Sequence, residues 1–295
     1  MATGQIPEGA IYKILSLRKV GWLPQIYSSG ILANDFLGYR LDYLLMEDCG
    51  KIIDHHCLDM FRNMSGIHSA YTDITNVISQ TVACLAEAAN AGVLHRDISA
   101  GNITIRDGQI RVIDWGCAKL LNTNLPGIKE VASEWGFDLD EIKENDKACN
   151  GIIGTPAFMS IRVLLGHPTR CLIDDIESLF YVVLQALSYY SHGSSLFAEP
   201  QVSKNTLAAL AKVGLVANRE SYLRILGIEK CPDNVKVQLD TLRQLLFCRD
   251  NQFIGGELIE NQSETRIIYL NLMRRLMGNE LFERVCRVPA GSSNA

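Results

Sequence analysis

Residues 93–116 read VLHRDISAGNITIRDGQIRVIDWG. The second half of this stretch holds two short alternating runs on either side of Asp107-Gly108. An Asp-Gly pair suits a two-residue hairpin loop, because both loop residues need positive φ. With those residues as the loop, Arg106 pairs with Gln109 and Ile103 with Val112. One step further, Asn102 pairs with Ile113, so Asn102 and Asp114 lie side by side at the open end of the ladder. An amide oxygen and a carboxylate then come within reach of one shared, oxygen-preferring cation.

Outward from this hairpin, the pattern is mixed. Upstream, Ile11, Ile14, Leu15 and Val20 suggest a short helix, and residues 20–54 look strand-like. Within them Ser28-Ser29-Gly30 reads as a turn cluster, followed by the apolar run YRLDYLLM over 39–46. Residues 73–91 carry Ile74, Val77, Ile78, Val82, Leu85 and Ala89 at helical spacing. Asp73 can cap that helix and Gly92 can end it. Residues 117–153 read as irregular and polar, with the acidic stretch FDLDEIKEND as a solvated segment. Residues 174–188 form another helix, with Ile176, Leu179, Phe180, Val183 and Leu187 on one face. From 204 to 286 the pattern is mainly helical. Strands first and helices after imply an α+β protein.

The chain has 295 residues, enough to bury a substantial core. Its apolar share of 47% and charged share of 21% are those of an ordinary globular protein, which excludes a disordered chain. A net charge of −5 argues against a nucleic-acid partner. No apolar run reaches membrane-spanning length, so no membrane association is expected. The nine cysteines are scattered without a CxxC pair, which reads as free thiols in an intracellular compartment, cytoplasmic or nuclear. His55-His56-Cys57 offers half of a zinc site without a second half.

His95-Arg96-Asp97, the Asn102 that follows and Asp114-Trp115-Gly116 resemble the catalytic core of the protein kinase superfamily. Gly154-Thr155-Pro156-Ala157-Phe158-Met159-Ser160 looks like the end of an activation segment. DDIESLFYVVL, from Asp174, looks like the start of the buried central helix of the large lobe. The combination is most similar to the fungal-type protein kinase family, over roughly residues 8–190. It also shares a Ser-Ile pair with casein kinase 1.

The resemblance implies a protein kinase-like fold with a partial small lobe over 1–50, a large lobe over 51–290 and a tail over 291–295. It implies Mg²⁺ and ATP as cofactors and a protein hydroxyl as acceptor. Asp97 is then the catalytic carboxylate, with Ser99 and Thr155 beside it. Asn102 and Asp114 hold the metal. Met46 stands as the residue gating the nucleotide pocket, and backbone groups near Glu47 and Cys49 face the adenine. His95 and Gly116 support the loop, Arg96 stands where many kinases hold a phosphorylated segment, and Asp175 braces the His95-Arg96-Asp97 backbone or caps its helix. Glu8 resembles the helix Glu that pairs with a strand Lys, or is a solvated acid at a helix start.

The pattern is not fully matched. Neither a Gly-rich loop nor a strand Lys precedes Glu8 in this sequence. Ser99 stands where most kinases have Lys, and Arg162 where they have a Glu, so the usual buried ion pair must be replaced or reversed. Thr123 and Ser133 lie in a segment open to phosphorylation, while Thr155 is expected to hydrogen-bond near Asp97. Three readings therefore stand: an active Ser/Thr kinase, a kinase-like interaction domain or truncated product that does not use ATP productively, and a small-molecule phosphotransferase.

Overall fold

The computed structural model describes residues 6–36, 39–63, 67–142, 153–167, 170–192, 205–217, 223, 232–249, 252–253, 274 and 283. A small lobe begins with helix α1 (Glu8–Leu17) and continues into the antiparallel pair β1 (Ile26–Phe36) and β2 (Tyr39–Met46). A short strand β3 (Lys51–Ile52) then leads into α2 (Ile53–Asn63) and α3 (Ile67–Asn90) of a larger, mainly helical lobe. The arrangement is bilobal and α+β.

The hairpin forms in the register expected from Asp107-Gly108. Strand β5 (Ile103–Arg106) pairs with β6 (Gln109–Val112), Ile103 opposite Val112 and Arg106 opposite Gln109. Asp107 and Gly108 both have positive φ, 52° and 72°, as the tight loop requires. Its inner residues Ile103, Ile110 and Val112 are fully buried. On its outer edge β5 also pairs with β3, and the Ile110 N–H donates to the Gln80 side chain of α3. Strand β4 (Val93–Leu94), which enters the His95 loop, pairs with β7 (Lys119–Leu120), which leaves the Trp115 turn. The two functional loops are therefore stitched together at their bases.

Helix α3 buries Ile74, Val77, Ile78, Val82 and Leu85, and Gly92, with φ +77°, follows its end. Further along run α4 (Ile128–Trp135), α5 (Ile161–Leu164), α6 (Leu172–His192), α7 (Asn205–Ala217) and α8 (Asp233–Phe247). Helix α6 is buried on every side between Ile176 and Leu187, not on one face alone, and α2, α3 and α8 pack around it. It is the axis of the large lobe.

Three expectations are corrected. Ser28-Ser29-Gly30 is strand, not turn, because pairing with Leu45, Leu44 and Tyr43 overrides the local turn preference. Gly30 leaves room for the Tyr43 ring, which a Cβ there would meet at 3.0 Å. Asp73 caps nothing, since α3 starts a turn and a half earlier; its carboxylate instead meets His56 Nε2 at 2.9 Å. The 117–153 segment is not wholly irregular, because α4 lies within it and buries Ile128, Val131, Ala132 and Trp135. The acidic stretch after residue 142, the helical runs near 221–227 and 265–277 apart from residues 223 and 274, and the 291–295 tail fall outside the described residues. Among the described residues, no helix is long and apolar enough to cross a membrane.

Candidate active site

The His95-Arg96-Asp97 loop is fixed from below by Asp175. The two Asp175 carboxylate oxygens accept the N–H groups of His95 and Arg96, each at 3.0 Å. Burial pushes the Asp175 carboxyl up to about 7, against the pull of those two N–H donors. The capping role falls to its neighbour. Asp174 Oδ2 reaches back to the Cys171 N–H at 2.8 Å, the reciprocal half of a capping box. Asp174 Oδ1 accepts the Ser160 hydroxyl at 2.7 Å and lies 3.0 Å from Arg162.

His95 is fully buried, with its Nε2 3.1 Å from the Ile113 carbonyl and its ring tilted at 57° to that of Trp115, centroids 4.5 Å apart. Burial depresses its pKa to about 4, so it is neutral near pH 7 and acts as a tie. Arg96 adopts φ 68° and donates to the Cys117 carbonyl at 2.7 Å. Both residues thus hold the Asp97 loop to the Asp114-Trp115-Gly116 turn.

Asp97 Oδ1 accepts two hydrogen bonds of 2.8 Å from Thr155, one from the amide and one from the hydroxyl. Asn102 Nδ2 donates to the Asp97 carbonyl at 2.9 Å. That commits the amide nitrogen and turns Oδ1 of Asn102 the other way. Gly154 makes the approach of Thr155 possible. Its φ is +114°, and a Cβ there would sit 2.7 Å from the Arg96 carbonyl. Ser99 is buried, and its carbonyl accepts the Asn102 N–H at 3.1 Å, which tightens the loop between Asp97 and Asn102.

Asp114 is exposed and left-handed, with φ 61°. Ile113 donates its N–H to the Asn102 carbonyl at 3.0 Å, which sets Asp114 at the mouth of the hairpin. Trp115 is fully buried and spends its indole N–H on the Val112 carbonyl at 3.1 Å. At Gly116, a Cβ would stand 3.3 Å from Asp114 Oδ1. Glu8 is no solvated acid. Its carboxylate accepts the Trp115 N–H at 3.0 Å, across from α1. Burial raises the Glu8 pKa, the Trp115 N–H pulls it down, and Asp114 adds to the rise. Tyr12, one turn along, is buried beside Glu8, and its phenol pKa is raised.

Met46 ends β2 opposite Ile26. The Glu47 N–H donates to the Gln25 carbonyl at 2.9 Å, and Arg111 clasps the Glu47 side chain at 2.8 Å, holding its carboxyl below the usual range. The Cys49 thiol donates to the Glu47 carbonyl at 3.3 Å. No group of three or more His, Cys, Asp or Glu side chains is placed to grip a metal among the described residues. His56 is paired with Asp73, and Cys57 is buried.

Sequence reasoning missed several anchors. Arg170 donates to the carbonyls of Arg96 and Ile153, clamping the Asp97 loop to the segment before Gly154. Glu177 accepts the Ile161 N–H at 2.7 Å and the Tyr181 hydroxyl at 2.9 Å. Lys212 lies 3.9 Å over the Tyr181 ring and donates to the Met159 carbonyl. Burial pushes Glu177 up and Lys212 down, and their mutual attraction opposes both shifts. These groups and the Arg162–Asp174 contact stand where the single ion pair was expected to be replaced. Thr123 is buried, whereas Ser133 is exposed on α4.

A fungal protein kinase family profile matches residues 71–187, which span α3, both functional loops and most of α6. Over these residues the chain is similar to the protein kinase superfamily. It is similar to a probable serine/threonine-protein kinase of Dictyostelium discoideum, 28% identical over 55% of this chain and 33% of that protein. A serine/threonine-protein kinase of Protochlamydia amoebophila is 32% identical over 50% of this chain and 14% of its own length. A probable serine/threonine-protein kinase of Bifidobacterium longum is 36% identical over 48% of this chain and 18% of its own length. The chain thus spans a third or less of these relatives.

Proposed function

We propose that this kinase domain transfers the γ-phosphoryl group of Mg·ATP to a protein Ser or Thr hydroxyl. The observation that carries the reading is the setting of Asp97. One carboxylate oxygen is spent on Thr155 and the loop below is pinned by Asp175. The other oxygen takes only a long 3.5 Å contact from Asn102 Nδ2, which an acceptor hydroxyl would displace as it gives up its proton. The Asn102 amide oxygen and the Asp114 carboxylate fit Mg²⁺, which takes few protein ligands and keeps waters and substrate phosphates for the rest. Bound there, the ion would neutralise charge on the transferring phosphate. Glu8 and Trp115 would keep the Asp114 backbone in its left-handed turn. Residues 1–50 would form the small lobe and 51–290 the large one, with the nucleotide between Met46–Cys49 and Asp114.

One observation favours an interaction domain instead. Glu47 offers the adenine no backbone N–H, since Gln25 takes it, and its carbonyl is met by the Cys49 thiol. A thiol is a weak donor, so an adenine amino group would displace it. Thermal unfolding with and without Mg·ATP, beside Asp114→Asn, separates the readings. A ligand that binds only the folded state raises Tm. Stabilisation of the wild type but not the variant, with phosphate transfer to a generic protein substrate, supports the kinase. No response from either at millimolar nucleotide rejects it.

A further inference from the structure

We propose that Trp135, on helix α4 of the segment after Asp114-Trp115-Gly116, is a positioning residue that holds α1 so that Glu8 reaches the Trp115 N–H. The part that concerns nucleotide affinity rests on the kinase reading above. The contact begins at Gly9, one residue after Glu8. A Cβ at Gly9 would overlap the six-membered ring of Trp135, so the indole is seated directly against the α1 backbone. Trp135 is only 4% exposed there.

The rest of α4 and its lead-in follow the same helix downward. Lys13 pairs with Glu134 at 2.5 Å, Arg18 donates to the Pro126 carbonyl at 2.9 Å, and Gly127 lies against Leu17. From the sheet side, Arg40 of β2 donates to the Trp135 carbonyl at 2.7 Å and pairs with Asp42. On its inner side α1 buries Ala10, Ile11, Ile14 and Leu15 against the Trp115 turn and the β1–β2 pair, and one flank borders open space. A cleft of about 570 Å³ separates it from the start of β1, lined by Tyr12, Lys13, Leu17, Leu23 and Ile26 among others. With that flank unfilled, Trp135 is the tightest contact on the first turn of α1, where Ser29 of β1 also approaches Gly9. Glu8 sits in that turn, and its bond to Trp115 depends on it.

The pieces come from distant parts of the sequence but form one path: Trp135 to Gly9, Glu8 to the Trp115 N–H, and Trp115 to Asp114. Displacing Trp135 releases the first turn of α1 and with it the acceptor of the Trp115 amide. Gly9→Ala is the sharper probe. Ala favours helix over Gly, so it strengthens α1 while blocking the seat.

The test is the hydrogen-exchange rate of the Trp115 amide, resolved by NMR, in wild type, Trp135→Ala and Gly9→Ala. The expected result is about tenfold or more faster exchange at Trp115 in both variants, with α6 amides unchanged, and a similar loss of Mg·ATP affinity by calorimetry. If Trp135→Ala does not fold, Gly9→Ala alone decides. Less than tenfold acceleration in the folded variants overturns the proposal. Absence of Mg·ATP binding by the wild type refutes the kinase reading instead, and the exchange rates still judge the role of Trp135.

Discussion

At the scale of single residues, the site is built from backbone groups held by buried side chains. Asp175 is the clearest case, since it alone accepts the His95 and Arg96 amides. Asp175→Ala strands two buried N–H groups, each costing about 1–3 kcal/mol. We expect a loss of roughly 2–6 kcal/mol in urea unfolding, with or without nucleotide. His95 makes a prediction in pH. Its folded pKa of about 4 lies below its unfolded value of 6.5, so the unfolded chain binds the extra proton between them. Stability from this group is full above pH 6.5 and is lost as the pH falls towards 4. The wild type should therefore lose roughly 3 kcal/mol relative to His95→Asn across that window. Parallel pH profiles for the two proteins would refute a neutral, buried His95.

At the scale of elements, local and distant determinants separate cleanly. The β5–β6 hairpin was legible because everything that sets it lies within twelve residues: the Asp-Gly loop, the alternation and the register. Helix α4 also had a readable signal, Ile128, Val131, Ala132 and Trp135 at helical spacing, but its short length and polar flanks made it look irregular. Ser28–Gly30 misled because cross-strand partners, not neighbours in sequence, decide a strand. Glu8 was half legible: its place at a helix start was visible, its Trp115 partner 107 residues away was not. At this scale Gly154 is the test. Gly154→Ala forces a side chain into φ +114° and against the Arg96 carbonyl, costing about 1–3 kcal/mol. Its larger effect should be on chemistry, since Thr155 would lose its seat on Asp97. On the proposed kinase reading, phosphate transfer should fall by more than the stability loss accounts for, and a variant that keeps full transfer would show that the Thr155 contact is dispensable.

At the scale of the molecule, the described parts of the segment from Asp114 to Ser160 are tied down at α4 and at the far end. Arg170 and Thr155 hold its end near Asp97, α4 holds its middle on α1, and Glu177 with Lys212 holds the Met159–Ile161 turn to the large-lobe core. None of these charges was readable as a pair, because the sequence carries residue types but no distances. Glu177 and Lys212 are buried, so removing either leaves an uncompensated charge at a cost of about 3–5 kcal/mol. Removing both, as Glu177→Gln with Lys212→Met, should cost less than the sum of the two singles. A double-mutant cycle in chemical denaturation checks this, and strict additivity would mean that they act apart.

The placement of the tryptophans has an optical consequence. The chain has three, and two of them, Trp115 and Trp135, meet α1 at adjoining residues, one through the Glu8 carboxylate and one through the Gly9 backbone. Both indoles are dry, at 0% and 4% exposure. An outward swing of α1 would uncover the Trp135 ring and move its emission to longer wavelength, while motion confined to the helices beyond residue 205 would leave it unchanged. Intrinsic fluorescence is therefore a built-in gauge of helix position, readable without a label, a substrate or an assay for phosphate transfer.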